Sequence, residues 1–222
     1  MTSTPSAREE ILERIRRATS DVPETERPED VHVERGYRAE TDASPEETVA
    51  TFCENVAEYK ATVHRATQAE LAKKIEHCLQ KRGVRRLAIP HDLPEAMIPW
   101  SVEVLRDNPG SPLTNVDLDD ADGVLTGCAI GVAQTGTIIL DAGAGQGRRV
   151  ITLLPDYHLC VVREEQVVGL VPEAIEELQK NVGGEGRAVT FISGPSATSD
   201  IELERVEGVH GPRTLEVIVV SG

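Results

Sequence analysis

Residues 44–90 read "SPEETVATFCENVAEYKATVHRATQAELAKKIEHCLQKRGVRRLAIP", and they decide the fold class because helical and strand-like patterns alternate along them. Ser44 and Glu47 have the spacing of a capping box at a helix start, and Thr67 and Glu70 repeat that spacing. Apolar residues recur at helical intervals after each box, and a short β-rich run follows each helical pattern. The order helix, strand, helix, strand is typical of parallel βαβ units and predicts an α/β sheet.

The second half of the chain is richer in strand patterns. Residues 123–140 hold two β-rich runs around "AQTG", and residues 158–170 hold two around "REE", so each stretch predicts a hairpin or strand pair. A helix is predicted to begin at Pro172. "AVTFIS" (188–193) reads as a fully apolar strand buried in a sheet, and "TLEVIVV" (214–220) as the last strand. The predicted fold is α/β, with a mixed sheet flanked by helices.

The first 43 residues differ from the rest of the chain. Ile11, Leu12 and Ile15 lie on one face of a predicted amphipathic helix, and residues 20–43 are acidic and contain prolines. We therefore expect residues 1–43 to form an N-terminal helix with an acidic extended arm, and residues 44–222 to form the α/β domain. The helix needs a partner for its apolar face, which predicts docking on the body or, in a homo-oligomer, on another subunit.

Composition excludes several classes of function. The 222 residues carry a net charge of −15 and only 3% aromatic residues, so neither a basic stripe nor stacking platforms are available for nucleic acid. The chain has no charged-then-apolar leader and no apolar run of the roughly 20 residues that a membrane helix needs. We expect a cytoplasmic protein without a membrane span.

The four cysteines are scattered through apolar stretches, without a C-x-x-C pair. This spacing indicates neither a zinc ribbon nor an iron–sulfur cluster, and no histidine pair has metal-ligand spacing, so no metal site is predicted. Reduced cysteines in such surroundings behave as small apolar residues. We interpret all four as core thiols: Cys53, Cys78, Cys128 and Cys160.

Two polar loops are the main candidates for a ligand site. "GPSATSD" (194–200) follows "AVTFIS", so it begins at the carboxyl end of a strand, where open α/β sheets place ligand crevices. "GVHGP" (208–212) precedes the last strand, and "AQTGT" (133–137) lies between two strands. The candidate ligand-binding residues are Thr135, Gly136, Thr137, Gly194, Pro195, Ser196, Thr198, Asp200, His210 and Gly211.

Each of these candidates also has a structural interpretation. Ser, Thr and Asp are common helix caps, a histidine between glycines is common in turns, and "AQTGT" is explained by a hairpin turn. If the first two loops do form a site, we expect them to be the walls of one anion-binding cleft, with "AQTGT" nearby. Strands close in sequence often share a sheet, and "AVTFIS" and "TLEVIVV" would bring the loops together.

Other polar residues are expected at strand ends. "DAGAGQGRR" (141–149) places small residues before Arg148 and Arg149, which suits an anion, although a mobile glycine loop is the commoner meaning. Further strand-end residues able to line a cleft are His91, Asp92, Asp141 and His158. None of these patterns dictates a reaction.

Three segments resemble the LUD domain of the lactate-utilisation protein C family, also called LutC or YkgG. They are "AIGVAQTGTIIL" (129–140), "LLPDYHLCVV" (153–162) and "ISGPSATSDIELERVEGVHGPRTLEVIVV" (192–220). The resemblance covers about residues 45–220. It implies a fold similar to the NagB, RpiA and CoA-transferase group, with 5-formyltetrahydrofolate cyclo-ligase as a relative.

The resemblance also implies a function. Proteins of this family belong to a three-component system that oxidises L-lactate to pyruvate, and the other two components carry the iron–sulfur clusters. The chain is then expected to bind no cofactor itself, to have iron–sulfur subunits as partners, and to be either an accessory subunit or a catalyst. The alternative is a stand-alone enzyme of the same fold, acting on a small anionic or nucleotide-like substrate. The catalytic motifs of the CoA-transferases, sugar-phosphate isomerases and cyclo-ligase are absent, so those activities are not expected.

Overall fold

The computed structural model describes residues 6–23, 25–27, 32–34, 36–182, 186–198, 206–208 and 210–222. The chain divides into two compact units, Met1–Tyr37 and Arg38–Gly222. In the first unit, helix α1 (Ala7–Ala18) begins with a capping box between Ser6 and Glu9, as its polar first turn favours. Within the described residues, no helix combines the length and the apolar character needed to cross a membrane.

The second unit holds four helices in its described part: α2 (Pro45–Glu58), α3 (Leu71–Arg82), α4 (Asn115–Asp119) and α5 (Val171–Val182). The predicted box at Ser44 is confirmed, with the Ser44 amide 2.8 Å from a Glu47 carboxylate oxygen. The Thr67 amide donates to Glu70 at 3.0 Å, but this bond lies just before α3, which has no side-chain cap.

Twelve strands lie in the described residues. They are β1 (Thr62–Thr67), β2 (Arg86–Pro90), β3 (Glu103–Asp107), β4 (Gly123–Thr126), β5 (Ile130–Val132), β6 (Thr137–Leu140), β7 (Tyr157–Arg163), β8 (Val167–Val168), β9 (Thr190–Ile192), β10 (Ala197–Thr198), β11 (Val206–Glu207) and β12 (Thr214–Ser221).

Six strands form the main sheet in the order β1-β12-β7-β4-β2-β3, and every neighbouring pair is parallel. Both faces are covered, as a parallel sheet requires. One face buries Leu159 and Ile218 together with the apolar residues of α3, and the other buries Val162 and Val217 with those of α2. The predicted α/β class is therefore confirmed.

A smaller sheet has the order β8-β5-β6-β9, with β5–β6 and β6–β9 antiparallel and β5–β8 parallel, and β10 and β11 form a separate antiparallel pair. The predicted hairpin around "AQTG" is confirmed, because β5 and β6 pair antiparallel. The predicted pairing across "REE" is wrong, since β7 belongs to the main sheet and β8 pairs with β5. "AVTFIS" is also not a buried central strand: β9 pairs with β6 only, at the sheet edge, and Phe191 is 51% exposed.

The side of the sheet to which the chain proceeds changes once, between the neighbouring parallel strands β2 and β4. After β2 the chain goes to β3 at the sheet edge, whereas after β4 the next main-sheet strand is β7, on the other side. Since β2 and β4 are parallel neighbours, their following segments diverge at the carboxyl edge of the sheet. Divergence of this kind opens a crevice beyond the strand ends.

Candidate functional site

A cavity of about 210 Å³ lies beside both predicted loops. Its lining includes residues 190–197 and 210–212, and the remaining lining residues are Arg149, Thr152, His158 and Leu215. We call this cavity the Arg149 pocket. It brings together five of the predicted site residues: Gly194, Pro195, Ser196, His210 and Gly211.

Hydrogen bonds through Ser196 hold the two loops together. The Ser196 amide donates to the Pro212 carbonyl at 2.9 Å, and the Gly208 amide donates to the Ser196 carbonyl at 3.0 Å. The Ser196 hydroxyl oxygen accepts from the His210 amide at 3.0 Å. The short pair β10–β11 continues this contact, with Thr198 opposite Val206. The Ser196 side chain therefore supports the His210 turn as well as lining the pocket.

The position of the pocket differs from the predicted one. His158 and Leu215 lie near the amino ends of the parallel strands β7 and β12, and Phe191 belongs to β9 of the smaller sheet. The expectation that this loop lines a crevice at the carboxyl ends of the parallel strands is therefore wrong. "AVTFIS" and "TLEVIVV" do not share a sheet, and the two loops are joined instead by the backbone hydrogen bonds of Ser196 with Pro212 and Gly208.

Arg149 supplies the positive charge in the pocket. It begins a 3-10 turn, Arg149–Thr152, and its guanidinium donates to the Thr152 hydroxyl at 3.0 Å and to the His210 carbonyl at 3.4 Å. Burial lowers the pKa of Arg149 from its ordinary value, but an arginine remains protonated at neutral pH. No carboxylate of the described residues forms an ion pair with Arg149. A partly buried guanidinium without a counter-ion is suited to an anionic ligand.

His158 adds a second imidazole to the pocket lining. Its Nε2 lies 2.8 Å from the Thr126 hydroxyl on the neighbouring strand β4, and the residue is buried. In the sequence His158 stood out only as a strand-end residue. Its place became clear only from the parallel pairing of β4 and β7.

The "AQTGT" segment does not line the pocket, but its residue Thr137 contacts the lining residue Ser193. The Thr137 hydroxyl lies 2.8 Å from the Ser193 hydroxyl and 2.7 Å from that of Thr135. Gly136 has φ +57° and approaches the backbone of α2 at Asn55. Neither Thr135 nor Gly136 belongs to the lining of the pocket, so both serve the hairpin in the first instance.

Two predicted site residues give little structural information. Asp200 lies outside the described residues, as does Ser199. Thr198 is placed by its backbone pairing alone.

The four cysteines are unpaired, and Cys78, Cys128 and Cys160 are buried, whereas Cys53 is half-buried. The interaction of the neighbouring Cys128 and Cys160 thiols raises the pKa of Cys128 and lowers that of Cys160, and His158 also lowers the pKa of Cys160. The Cys160 thiol lies 3.6 Å from the Gly127 carbonyl. These two thiols are therefore part of a polar group inside the core rather than isolated apolar fillers.

One group of side chains has the chemistry of metal ligands. The ligand atoms of His64, Cys78 and Glu216 all lie within 4.8 Å of one another. The buried Glu216 carboxylate already accepts from the Tyr157 hydroxyl at 2.6 Å and lies 2.7 Å from His64 Nε2. These contacts satisfy the carboxylate without an ion, so the group is explained as a buried polar network.

Comparisons with known proteins agree on one family. The LUD domain family model matches residues 49–220, a range that includes the whole lining of the Arg149 pocket. A Deinococcus radiodurans protein named lactate utilization protein C is 45% identical over 219 residues, covering 99% of this chain and 98% of the relative. Escherichia coli uncharacterized protein YkgG is 41% identical over 94 residues, 41% of this chain and 40% of that protein. The crystal structure of a DUF162 family protein from D. radiodurans has a TM-score of 0.70 and 43% identity, covering 80% of this chain and 99% of that chain.

Proposed function

This chain belongs to the LUD domain family, and from that membership we propose that it takes part in lactate utilisation. The relatives that bear the name lactate utilization protein C support this role, since one of them matches nearly the full chain. The parallel main sheet with helices on both faces also supports our inference of a NagB/RpiA/CoA-transferase-like fold.

We further propose that the chain is the cluster-free partner of iron–sulfur subunits in a system that oxidises L-lactate to pyruvate. Its four cysteines are unpaired and buried or half-buried, and they lie on separate elements: Cys53 on α2, Cys78 on α3, Cys128 after β4 and Cys160 on β7. An iron–sulfur cluster needs four ligands gathered at one place, and this distribution of thiols does not supply them. Electron transfer through clusters would then belong to the partners.

The Arg149 pocket is the proposed ligand site, and its ligand is a small carboxylate such as lactate or pyruvate. The observation that carries this proposal is the charge of Arg149, which has no carboxylate partner among the described residues. A guanidinium binds a carboxylate through two parallel hydrogen bonds. A cavity of about 210 Å³ admits a molecule of a few heavy atoms but is below the 300–1,000 Å³ typical of drug-sized ligands.

The other predicted residues frame the ligand in this proposal. Gly194, Pro195 and Gly211 shape the two loops, and the Ser196 hydroxyl fixes the His210 turn. The imidazoles of His158 and His210 face the same cavity as Arg149 and offer hydrogen bonds to a hydroxyl or keto oxygen. We keep Thr135, Thr137, Thr198 and Asp200 as supporting residues of the same site.

The substitution Arg149→Gln tests this ligand. We expect it to weaken binding of L-lactate and pyruvate at least about tenfold, since a hydrogen bond to a charged group contributes about 1.5–3 kcal/mol. Isothermal titration of the purified full chain measures the dissociation constants. Arg65→Gln, at an exposed arginine outside the pocket, is the matched control and should bind both acids normally. Equal affinities in wild type and Arg149→Gln would contradict the proposal.

Co-purification tests the assembly. Native chain isolated from cells grown on lactate should carry iron–sulfur proteins with it, and its deletion should abolish growth on lactate. A chain that purifies alone, and whose loss leaves that growth intact, would contradict the role. The alternative function, a stand-alone enzyme for a small anion, would be favoured instead by turnover in the isolated chain.

A further inference from the structure

A second pair of cavities lies at the opposite edge of the main sheet from the Arg149 pocket. One measures about 420 Å³ and the other about 270 Å³, and both are lined by Asp92 and Ala144. Because they share these two lining residues, we name the pair of cavities together the carboxyl-edge crevice. The larger cavity alone falls within the 300–1,000 Å³ of typical small-molecule sites, whereas the Arg149 pocket is below it.

The crevice lies where the order of the sheet reverses. Its lining includes His91 and Asp92, which follow β2, and Gly127 and Cys128, which follow β4. The strands β2 and β4 are the two parallel neighbours whose following segments diverge. In open α/β sheets this is the place where ligands bind, because the diverging loops leave the strand ends uncovered.

A glycine-rich loop, residues 141–147, brings backbone close to the crevice. Side chains at the two ends of the loop pin it: Gln146 accepts from the Asp141 amide at 2.7 Å and donates to the Asp141 carboxylate at 2.8 Å. The Gly127 amide donates to the Gly145 carbonyl at 2.8 Å, which ties the loop to the end of β4. A Cβ at Gly145 would meet only Pro94, at 3.8 Å, so the space beside this backbone is open.

Arginine side chains line both parts of the crevice. Arg148 is held by two hydrogen bonds to Asp107, at 2.8 and 2.6 Å, yet about half of its side chain remains exposed. Arg187 also lines the larger cavity. Arg163 lines the smaller one and is half exposed, with a loose ion pair to Glu165 at 3.8 Å. Oriented guanidinium groups beside exposed backbone suit phosphate oxygens.

We propose that the carboxyl-edge crevice is a second ligand site, for a phosphorylated ligand of nucleotide size. The guanidinium groups of Arg148 and Arg163 bind the phosphates, and the glycine loop lets them approach the backbone. The Asp92 carboxylate, which lines both cavities, accepts hydrogen bonds from sugar hydroxyls. This site does not depend on the proposed role in lactate utilisation, because no residue of the Arg149 pocket takes part in it.

Titration of the full chain with ADP tests the second site, with adenosine as the matched ligand without phosphates. We expect saturable binding of ADP and at least about tenfold weaker binding of adenosine, because the charge-assisted hydrogen bonds are lost. Arg163→Gln should weaken ADP about tenfold for the same reason and should leave adenosine unchanged. Arg149→Gln should leave ADP binding unchanged, the reverse of its expected effect on lactate.

A steric variant locates the binding. Ala144 is exposed and lines both cavities, so Ala144→Trp should fill the crevice and abolish ADP binding. Ala69→Trp, at another exposed alanine, is the control and should bind normally. Circular dichroism melts confirm that each variant is folded, and Arg163→Gln remains a test if Ala144→Trp is not. The proposal is overturned if wild type fails to bind ADP, if adenosine binds as tightly, or if a folded Ala144→Trp keeps full affinity.

Discussion

Arg148 and Arg149 are neighbours in the chain, but Arg148 is paired with a carboxylate and Arg149 bonds only uncharged groups among the described residues. Arg148 is in an extended conformation and reaches the carboxylate of Asp107, whereas Arg149 starts a 3-10 turn and reaches a hydroxyl and a carbonyl. The pairing with Asp107 orients the Arg148 guanidinium and leaves about half of its side chain exposed, whereas Arg149 has no carboxylate partner among the described residues. The two residues therefore contribute to different cavities, on different edges of the sheet.

Gly136 illustrates a predicted site residue whose identity packing explains. It has φ +57°, and a Cβ there would come within 2.5 Å of the Asn55 carbonyl carbon and 2.7 Å of the Val56 amide nitrogen. Gly194 has φ +77°, and a Cβ there would come within 2.4 Å of the Tyr59 carbonyl oxygen. These close backbone approaches hold the smaller sheet against α2.

We therefore expect Gly136→Ala to lower the free energy of unfolding by about 2–4 kcal/mol, through left-handed strain plus a backbone clash. Gly83→Ala is the matched control, because Gly83 has φ +70° but open space around its Cβ position. Its cost should stay near 1 kcal/mol, from the conformation alone. Urea denaturation measures both values. Similar losses in the two variants would show that the contact with α2 is not tight.

At the scale of elements, the Asp107–Arg148 pair ties the end of β3 to the segment after the glycine loop. Burial acts to raise the pKa of Asp107, but the hydrogen bonds from Arg148 and Leu113 outweigh it and leave the pKa below its ordinary value. A lowered pKa in the folded state means that the carboxylate stabilises the fold at neutral pH. This contribution declines as the pH falls below about 3.9, the pKa of an unfolded aspartate, and through the lower folded pKa.

Asp107→Asn should accordingly lower the free energy of unfolding by about 1–3 kcal/mol at pH 7, with the difference from wild type shrinking below about pH 4. Urea denaturation at a series of pH values measures it. Asp156→Asn is the control: Asp156 pairs with Arg213, but both side chains are exposed, so the loss should be at most about 1 kcal/mol. A difference for Asp107→Asn that stays constant down to pH 3 would show that shape, not charge, is responsible.

The elements themselves were largely predictable from local patterns. Ser44 capping and the hairpin around "AQTG" depend on neighbouring residues, and the structure has both. The pairing of β8 and the edge position of β9 were not predictable, because a short apolar run is the same in either sheet. Which sheet a strand joins depends on contacts far away in the sequence.

For the whole molecule, the sequence predicted the two loops of the Arg149 pocket and marked Arg149 as suited to an anion, but it did not predict that Arg149 lies beside those loops. Glycines, prolines and hydroxyls mark the two loops, and the structure does bring Ser196 and His210 together. Arg149 and His158 come from separate segments, and only the tertiary fold brings them to the same cavity. An anion must also approach a chain of net charge −15, so local arginines determine where it can bind.

The N-terminal unit raises a question of assembly at the scale of the whole molecule. Helix α1 has twelve residues, and isolated helices of that length are marginal in water. Ile11 and Ile15 lie on one face and are 58% and 53% exposed. An exposed apolar stripe on a short helix predicts that another surface covers it, and we expect that surface to belong to a second copy of the chain or to a partner.

Replacing both residues, Ile11→Glu with Ile15→Glu, should remove that contact, because two charges would have to be desolvated in it. We expect the mass from light scattering to fall, or partner co-purification to be lost, while the melting temperature of the body stays nearly the same. Deleting residues 1–40 should have the same effect. Glu13→Gln with Arg17→Gln, on the opposite face of the helix, is the control and should leave assembly unchanged. A monomer whose melting temperature drops sharply on deletion would show instead that the helix stabilises its own chain.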